Sequence, residues 1–162
     1  MGGRVDVRPA VMGDAETIAG IHVTAWQQTY RHLVDPARLD ALDPADRVER
    51  WREIIRDSAE DVWVAQLDGE AVAWAAASDR DPLTHPRSRE LNGIYALARA
   101  HGSGVGQALL DASMGIVGAF LWVAANNPRA HSFYGRNGFV ADGARDEHRM
   151  VGSPIEVIRF VR

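Results

Sequence analysis

Residues 94–110 read Ile-Tyr-Ala-Leu-Ala-Arg-Ala-His-Gly-Ser-Gly-Val-Gly-Gln-Ala-Leu-Leu. An apolar run gives way to Gly102, Gly104 and Gly106 at alternate positions, and then to a helix-forming segment. That succession asks for a strand, a tight loop and a helix with nothing between them. Glycine permits left-handed backbone there and lets the chain approach another group without a Cβ in the way. The loop also gathers unpaired N–H groups at a helix N-terminus, where the dipole is positive, so a phosphate or pyrophosphate is the expected guest. The spacing is not Gly-x-Gly-x-x-Gly, because position 107 is glutamine. Nor is it Gly-x-Ser-x-Gly around Ser103, because position 101 is histidine, so a serine hydrolase elbow is disfavoured. Taken alone, these glycines would serve equally well in a loop that only tightens a strand–helix joint.

The rest of the chain supplies a framework for this loop. Alternation at Val5 and Val7 predicts a strand over 5–9. Asp14 is placed to cap a helix running to about Tyr30, and a second helical region opens at Pro36 and restarts at Asp43-Pro44. Strands are expected over 61–67 and 70–77, joined by Asp68-Gly69, a type I′ hairpin signal. A loop over 79–89 then leads to a strand over 90–98. After the glycines come a helix over 107–115, a strand over 119–125, a helix over 127–137 closed by Gly138, a strand beginning at Phe139, and a last strand over 155–161. The order β, α, α, β, β, β, α, β, α, β, β is neither a strict βα repeat nor all-β, and predicts one mixed sheet with helices on both faces.

Composition removes several chemistries. The chain has 162 residues, about one domain's worth, so 1–162 is read as a single domain. It has no cysteine, which excludes disulfides, thiolate metal sites and cysteine nucleophiles. It has no lysine either, since all 18 basic residues are arginine, which excludes a Walker A lysine and a Schiff base. No histidine pair or carboxylate cluster has metal-ligand spacing, so no metal is expected. The formal charge of −4 argues against nucleic acid or an anionic membrane as partner. No apolar run is long enough to span a bilayer, which needs about 20 residues, and the N-terminal residues lack a signal-peptide core, so a cytoplasmic location is expected. Arg47, Arg50, Arg52 and Arg56 interleave with Glu49 and Glu53, which reads as a salt-bridged solvated helix face.

A second segment gives the glycine loop a context. Residues 127–139 read Asn-Pro-Arg-Ala-His-Ser-Phe-Tyr-Gly-Arg-Asn-Gly-Phe. Together with 101–106, this resembles the GNAT superfamily of N-acetyltransferases. The superfamily's loop runs Gln/Arg-x-x-Gly-x-Gly/Ala, met here at His101, Gly104 and Gly106. Its later signature, Asn-x-x-Ala-x-x-Phe-Tyr-x-x-x-Gly-Phe, is met by Asn127, Ala130, Phe133, Tyr134, Gly138 and Phe139. The element order agrees from end to end. Two departures stand out: position 101 is histidine, and the proline that precedes the loop in the family is replaced by Ala98.

The resemblance implies an α/β fold with a mixed, mostly antiparallel sheet of six or seven strands and two splayed central strands. It implies an acetyl-CoA-dependent acyltransferase acting on a primary amine of a small molecule or peptide, by direct attack in a ternary complex. Ile94, Tyr95 and Ala96 would line the pantetheine, a bulge in their strand causing the splay. His101, Gly102, Ser103, Gly104, Val105, Gly106 and Gln107 would hold the pyrophosphate, with Asn127, Phe133 and Tyr134 also at the cofactor. Tyr134 corresponds to the usual acid and Glu90 to the usual base. Each residue also has a plainer reading: Tyr134 as packing beneath the sheet, Glu90 as a solvated strand end, Asn127 as a helix cap. For the acceptor, His22, Trp26 and Tyr30 recur on one helical face, as a pocket wall or as core. Asn92, two residues from both Glu90 and Ile94, shares their strand face by the period of two. A non-catalytic CoA-binding regulatory or interaction module is the alternative function, and a homodimer through exposed sheet ends is compatible with the fold.

Overall fold

The structure is a computed structural model and describes residues 2–162. Its strands form one seven-stranded sheet in the order β1-β2-β3-β4-β5-β7-β6. These are β1 Val5–Pro9, β2 Asp61–Leu67, β3 Glu70–Asp79, β4 Arg89–Ala96, β5 Phe120–Ala124, β6 Val140–Met150 and β7 Ser153–Val161. Every pairing is antiparallel except β4 with β5. The helices are α1 Ala15–Thr29, α2 Pro36–Asp40, α3 Ala45–Asp57, α4 Val105–Met114 and α5 Pro128–Arg136.

The alternation of β3 shows how the sheet is sandwiched. Trp74 and Ala76 face α1 and α3, packing with Ile18, Ile21, Trp51 and Ile54. Ala73 and Ala75 face the other way, against Val105 and Leu109 of α4. Ala77, on that same side, packs with Leu110, Met114 and Tyr134. The β2–β3 hairpin turns at Asp68 and Gly69, whose φ values of 53° and 87° are the double left-handed pair of a type I′ turn.

Several boundaries differ from the sequence expectation. The strand expected to reach residue 98 stops at Ala96: the Leu97 N–H still bonds the Val72 carbonyl in register, and a 3₁₀ turn over Ala98–Ala100 then takes the chain out of the sheet. Helix α4 starts at Val105 rather than 107, since the left-handed Gly104 already redirects the chain. Asp14 stands at the expected cap position but does not cap. Its carboxylate takes both Arg8 Nη atoms at 2.7 and 2.8 Å and the Val11 N–H at 2.8 Å. The eleven residues of β6, of which only the start was expected, carry mostly exposed polar and charged side chains and pair with β7 at the sheet edge.

Candidate acyl-transfer site

The parallel pair of β4 and β5 begins at Glu90↔Phe120 and Leu91↔Leu121 and then stops. Both strands continue, so the β5-facing edge of residues 92–96 has no ladder partner. The cause lies in β4 itself. Ala77 of β3 pairs with Leu91 but Ala76 pairs with Gly93, leaving Asn92 as an extra residue in a bulge. A bulge kinks its strand and raises the local twist, which turns the end of β4 away from β5.

The bulge also re-aims the side chains. Leu91 packs with Leu110 and Tyr134 on the α4 side. Ile94, three residues on, packs on that same side. Asn92 bonds Ser78 on the α1 side, with Nδ2–H donating to Oγ at 3.0 Å. Tyr95 lies there too, packed among the α1 and α3 residues. A Cβ on Gly93 would sit 2.9 Å from the Tyr95 ring, so only glycine leaves room for it. Glu90 and Asn92 therefore share the α1 face, but Ile94 does not; the inserted residue breaks the period of two that grouped the three.

The glycine loop closes the open end. Gly102 and Gly104 have φ of +78° and +95°. The Ser103 hydroxyl donates to the Ala100 carbonyl at 2.6 Å, so it stitches the loop rather than standing ready as a nucleophile. The Val105 N–H makes a long 3.5 Å approach to that hydroxyl. The N–H groups of Gly102, Gly104, Gly106 and Gln107 find no protein acceptor among the described residues. They form a cluster of free donors at the start of a ten-residue helix, the arrangement that suits a pyrophosphate. Gly106 lies under Phe133 of α5, where a Cβ would come within 3.5 Å of the ring. The Gln107 side chain is committed elsewhere, to Asp111 and Asn137.

His101 turns inward. Its Nε2 lies 3.2 Å from the Ala96 carbonyl, which can only accept, so Nε2 carries the proton. Burial, and then the nearby Arg129 charge, lower its pKa below the usual histidine value. The ring is thus mostly uncharged at neutral pH, and its hydrogen bond restrains the end of β4.

Helix α5 brings the second signature beside the loop. Asn127 caps it, accepting the Ala130 N–H at 3.2 Å. His131 Nε2 lies 3.0 Å from the Ala124 carbonyl. Tyr134 is 8% exposed and packs against Phe133, Phe139 and Leu91. Burial, with Tyr95 as a second cause, raises its pKa well above that of an ordinary phenol, so it stays protonated. Glu90 opens β4 in an ion pair with Arg80, at 2.5 Å, and its side chain is 17% exposed.

On the α1 side, Tyr30 is core, and its hydroxyl meets that of Tyr95 at 3.1 Å. Trp26 is partly exposed and lies 6.2 Å from the Tyr95 ring, centroid to centroid. Sequence reasoning missed the rest of this aromatic group. Trp74 from β3 and Trp51 from α3 close around His22, at ring distances of 5.3 and 5.8 Å. Arg47 lays its guanidinium over Trp26, 5.1 Å from the ring centre. Arg50 and Arg52 pair with Glu53 and Glu49 as the charge pattern predicts, and Arg56 pairs with Asp57; Arg47 has no carboxylate partner among the described residues.

The end of the parallel ladder at Leu91 packs with Tyr134, and Gly106 of the glycine loop lies under Phe133, so the splay, the loop of free donors and the buried tyrosine adjoin. The family model described as acetyltransferase (GNAT) family matches residues 26–139. The chain belongs to this family. Among its relatives, Rv2775 of Mycobacterium tuberculosis, named as an N-acetyltransferase, is 24% identical over 144 residues, 86% of this chain and 82% of that one. YuaI of Bacillus subtilis, likewise named as an N-acetyltransferase, is 29% identical over 131 residues, covering 76% and 74%. The fold is that of the PaiA N-acetyltransferase from Thermoplasma acidophilum, solved in complex with coenzyme A. That chain superposes with a TM-score of 0.74 at 19% identity, over 96% of this chain and 98% of its own. Among the described residues, no helix of this GNAT protein is long and apolar enough to cross a membrane.

Proposed function

We propose that this GNAT protein moves an acetyl group from acetyl-CoA to a primary amine by direct attack in a ternary complex. The observation that carries the reading is the parallel ladder that ends at Leu91↔Leu121 beside a loop of unmet N–H donors. A strand edge without a partner is costly unless a ligand or water meets it. The N–H groups of Gly102, Gly104, Gly106 and Gln107 would take the pyrophosphate oxygens, with Ser103 and Val105 shaping the loop between them. The freed edge of Ile94, Tyr95 and Ala96 would hydrogen-bond the pantetheine amides, and Phe133 and Asn127 would border it from α5. When bound, acetyl-CoA supplies the activated acyl group, a thioester.

The chain's own chemistry is then modest. Main-chain groups at the splay hold the donor in line, and positioning of this kind accounts for much of an acyl transfer's rate. Tyr134 keeps its proton across the neutral range because it is buried. A phenol raised above its usual pKa of about 10 cannot fully protonate a thiolate whose thiol has a pKa of about 8.5 at equilibrium. Tyr134 therefore acts by donating a hydrogen bond to the leaving sulfur as charge builds there. Glu90, held by Arg80, takes the amine's proton through water. The alternative, a CoA-binding module without transfer, predicts donor binding but no thiol release with any amine.

Calorimetric titration of acetyl-CoA into the protein tests the reading, with Gly104→Trp as control. Saturable binding to the wild type and none to the variant supports it. Absence of binding to the wild type refutes it.

A further inference from the structure

The aromatic group on the α1 side of the splay holds polar atoms that the fold leaves unmet. Trp51 Nε1–H donates to His22 Nδ1 at 3.2 Å. An indole nitrogen can only donate, so Nδ1 is the acceptor and the hydrogen of the neutral ring sits on Nε2. Burial, with the Arg47 charge second, pushes the His22 pKa down to about 3, so the ring is neutral. Its Nε2–H is buried and, like the indole and guanidinium N–H groups named next, has no acceptor among the described residues. Trp74 Nε1–H, on a residue only 4% exposed, has none. Arg47 Nε–H has none. Trp26 Nε1–H lies toward the Tyr95 hydroxyl without the geometry of a hydrogen bond.

All four unmet atoms are donors, and they belong to residues ringed about His22. A buried donor without a partner costs about 1–3 kcal/mol, so a set of this size asks for a ligand rich in acceptor oxygens. Arg47 adds a full positive charge. Arg50, Arg52 and Arg56 on the same helix are each neutralised by a carboxylate, whereas Arg47 has no carboxylate within ion-pair reach among the described residues. Arg47 and Trp26 remain partly exposed, so the group meets solvent there. Its inner end is Tyr95, on the strand that splays, and Tyr95 in turn neighbours Tyr134.

We propose that the acceptor is an amino-carboxylic acid whose carboxylate docks on Arg47 and His22 Nε2–H while its amine points past Tyr95 toward the splay. The aromatic walls suit an apolar side chain, and Arg47 meets a carboxylate with two parallel N–H groups as lysine cannot. The inference rests on the acetyl-transfer reading. Amines that lack an anionic group, polyamines included, would bring a cation to a site that already holds one.

The test pairs each protein amino acid with its own carboxamide. Thiol release from acetyl-CoA and saturable change in tryptophan fluorescence are read for wild type, Arg47→Met and Arg47→Lys. Acetyl-CoA binding is measured first in all three. The expected result is at least a tenfold preference in kcat/KM, or in affinity by fluorescence, for one or more acids over their amides. Arg47→Met abolishes that preference, Arg47→Lys keeps part of it, and donor binding is unchanged in both. Amides equal to or better than acids in the wild type would overturn the inference, as would a fluorescence response to no amino acid. Should Arg47→Met fail to fold, the wild-type pairs and Arg47→Lys decide. Loss of donor binding in the wild type would instead strike the transfer reading itself.

Discussion

Two glycines of one loop should respond to the same substitution with opposite sign. Gly104 has φ +95° and ψ −5°, and a Cβ built on it meets nothing within 4 Å. Gly104→Ala therefore introduces no clash, and its whole effect is the strain of placing an L-residue in left-handed backbone, about 1–2 kcal/mol. Gly106 lies inside the first turn of α4, and its new Cβ would make ordinary contact with Phe133 at 3.5 Å. Gly106→Ala restricts the unfolded chain and fits helical backbone, a gain of about 0.5 kcal/mol. With a urea slope of about 2 kcal/mol per molar, the Gly104 variant should unfold roughly 0.5–1 M earlier. The Gly106 variant should unfold roughly 0.25 M later by the same slope. Equilibrium urea unfolding followed by circular dichroism reads both. Equal destabilisation of the two variants would mean that the loop's backbone is not as described.

Three further outcomes are expected. Tyr134→Phe should lower kcat about 100-fold while leaving the KM for acetyl-CoA unchanged, and a fall of less than twofold would remove Tyr134 from the chemistry. His22 titrates at about 3 in the folded chain and at its ordinary 6.5 when unfolded, so the unfolded state binds the extra proton between those values. Its contribution is complete above about pH 6.5 and is lost as pH falls toward 3, at up to about 1.4 kcal/mol per pH unit. Between pH 7 and 5 the wild type should lose about 2 kcal/mol more stability than His22→Asn; parallel curves would contradict the burial of this ring. Asn127→Ala should cost about 1 kcal/mol through loss of the cap on α5, and Asn127→Asp far less. Similar losses in the two variants would point to something other than the Ala130 N–H.

What was legible in the sequence was what neighbours in the chain decide. Asp68-Gly69 specifies its own turn, and the alternating glycines between an apolar run and a helix-forming segment specify a strand–loop–helix joint. The two signatures at 101–106 and 127–139 then carried the fold class. The bulge at Asn92 was not legible, because it exists only in the register between β3 and β4 and no residue announces it. The long β6 was hidden for another reason: it sits at an edge, buries little, and shows no apolar alternation from Asp142 to Arg149. Arg47 looked like the arginines beside it. Only the packing of α3 on α1 turns it onto Trp26, and only the meeting of α1, α3, β3 and β4 makes a site of His22, Trp51, Trp74 and Tyr95.

The extra residue in β4 makes chain length, more than side-chain identity, the sensitive variable of this segment. Upstream of Asn92 the even-numbered positions look toward α1; downstream the odd-numbered ones do. Excising one residue between Leu91 and Ile94 would restore a regular pleat and leave Ile94 opposite Ala75 and Tyr95 opposite Trp74, each on the face it now occupies. What would be lost is the bulge itself, and with it the kink that turns the end of β4 away from β5. Homologues that vary freely in the loop over 79–89 should therefore keep a constant count of residues from Glu90 to Tyr95, even where the residues themselves have changed.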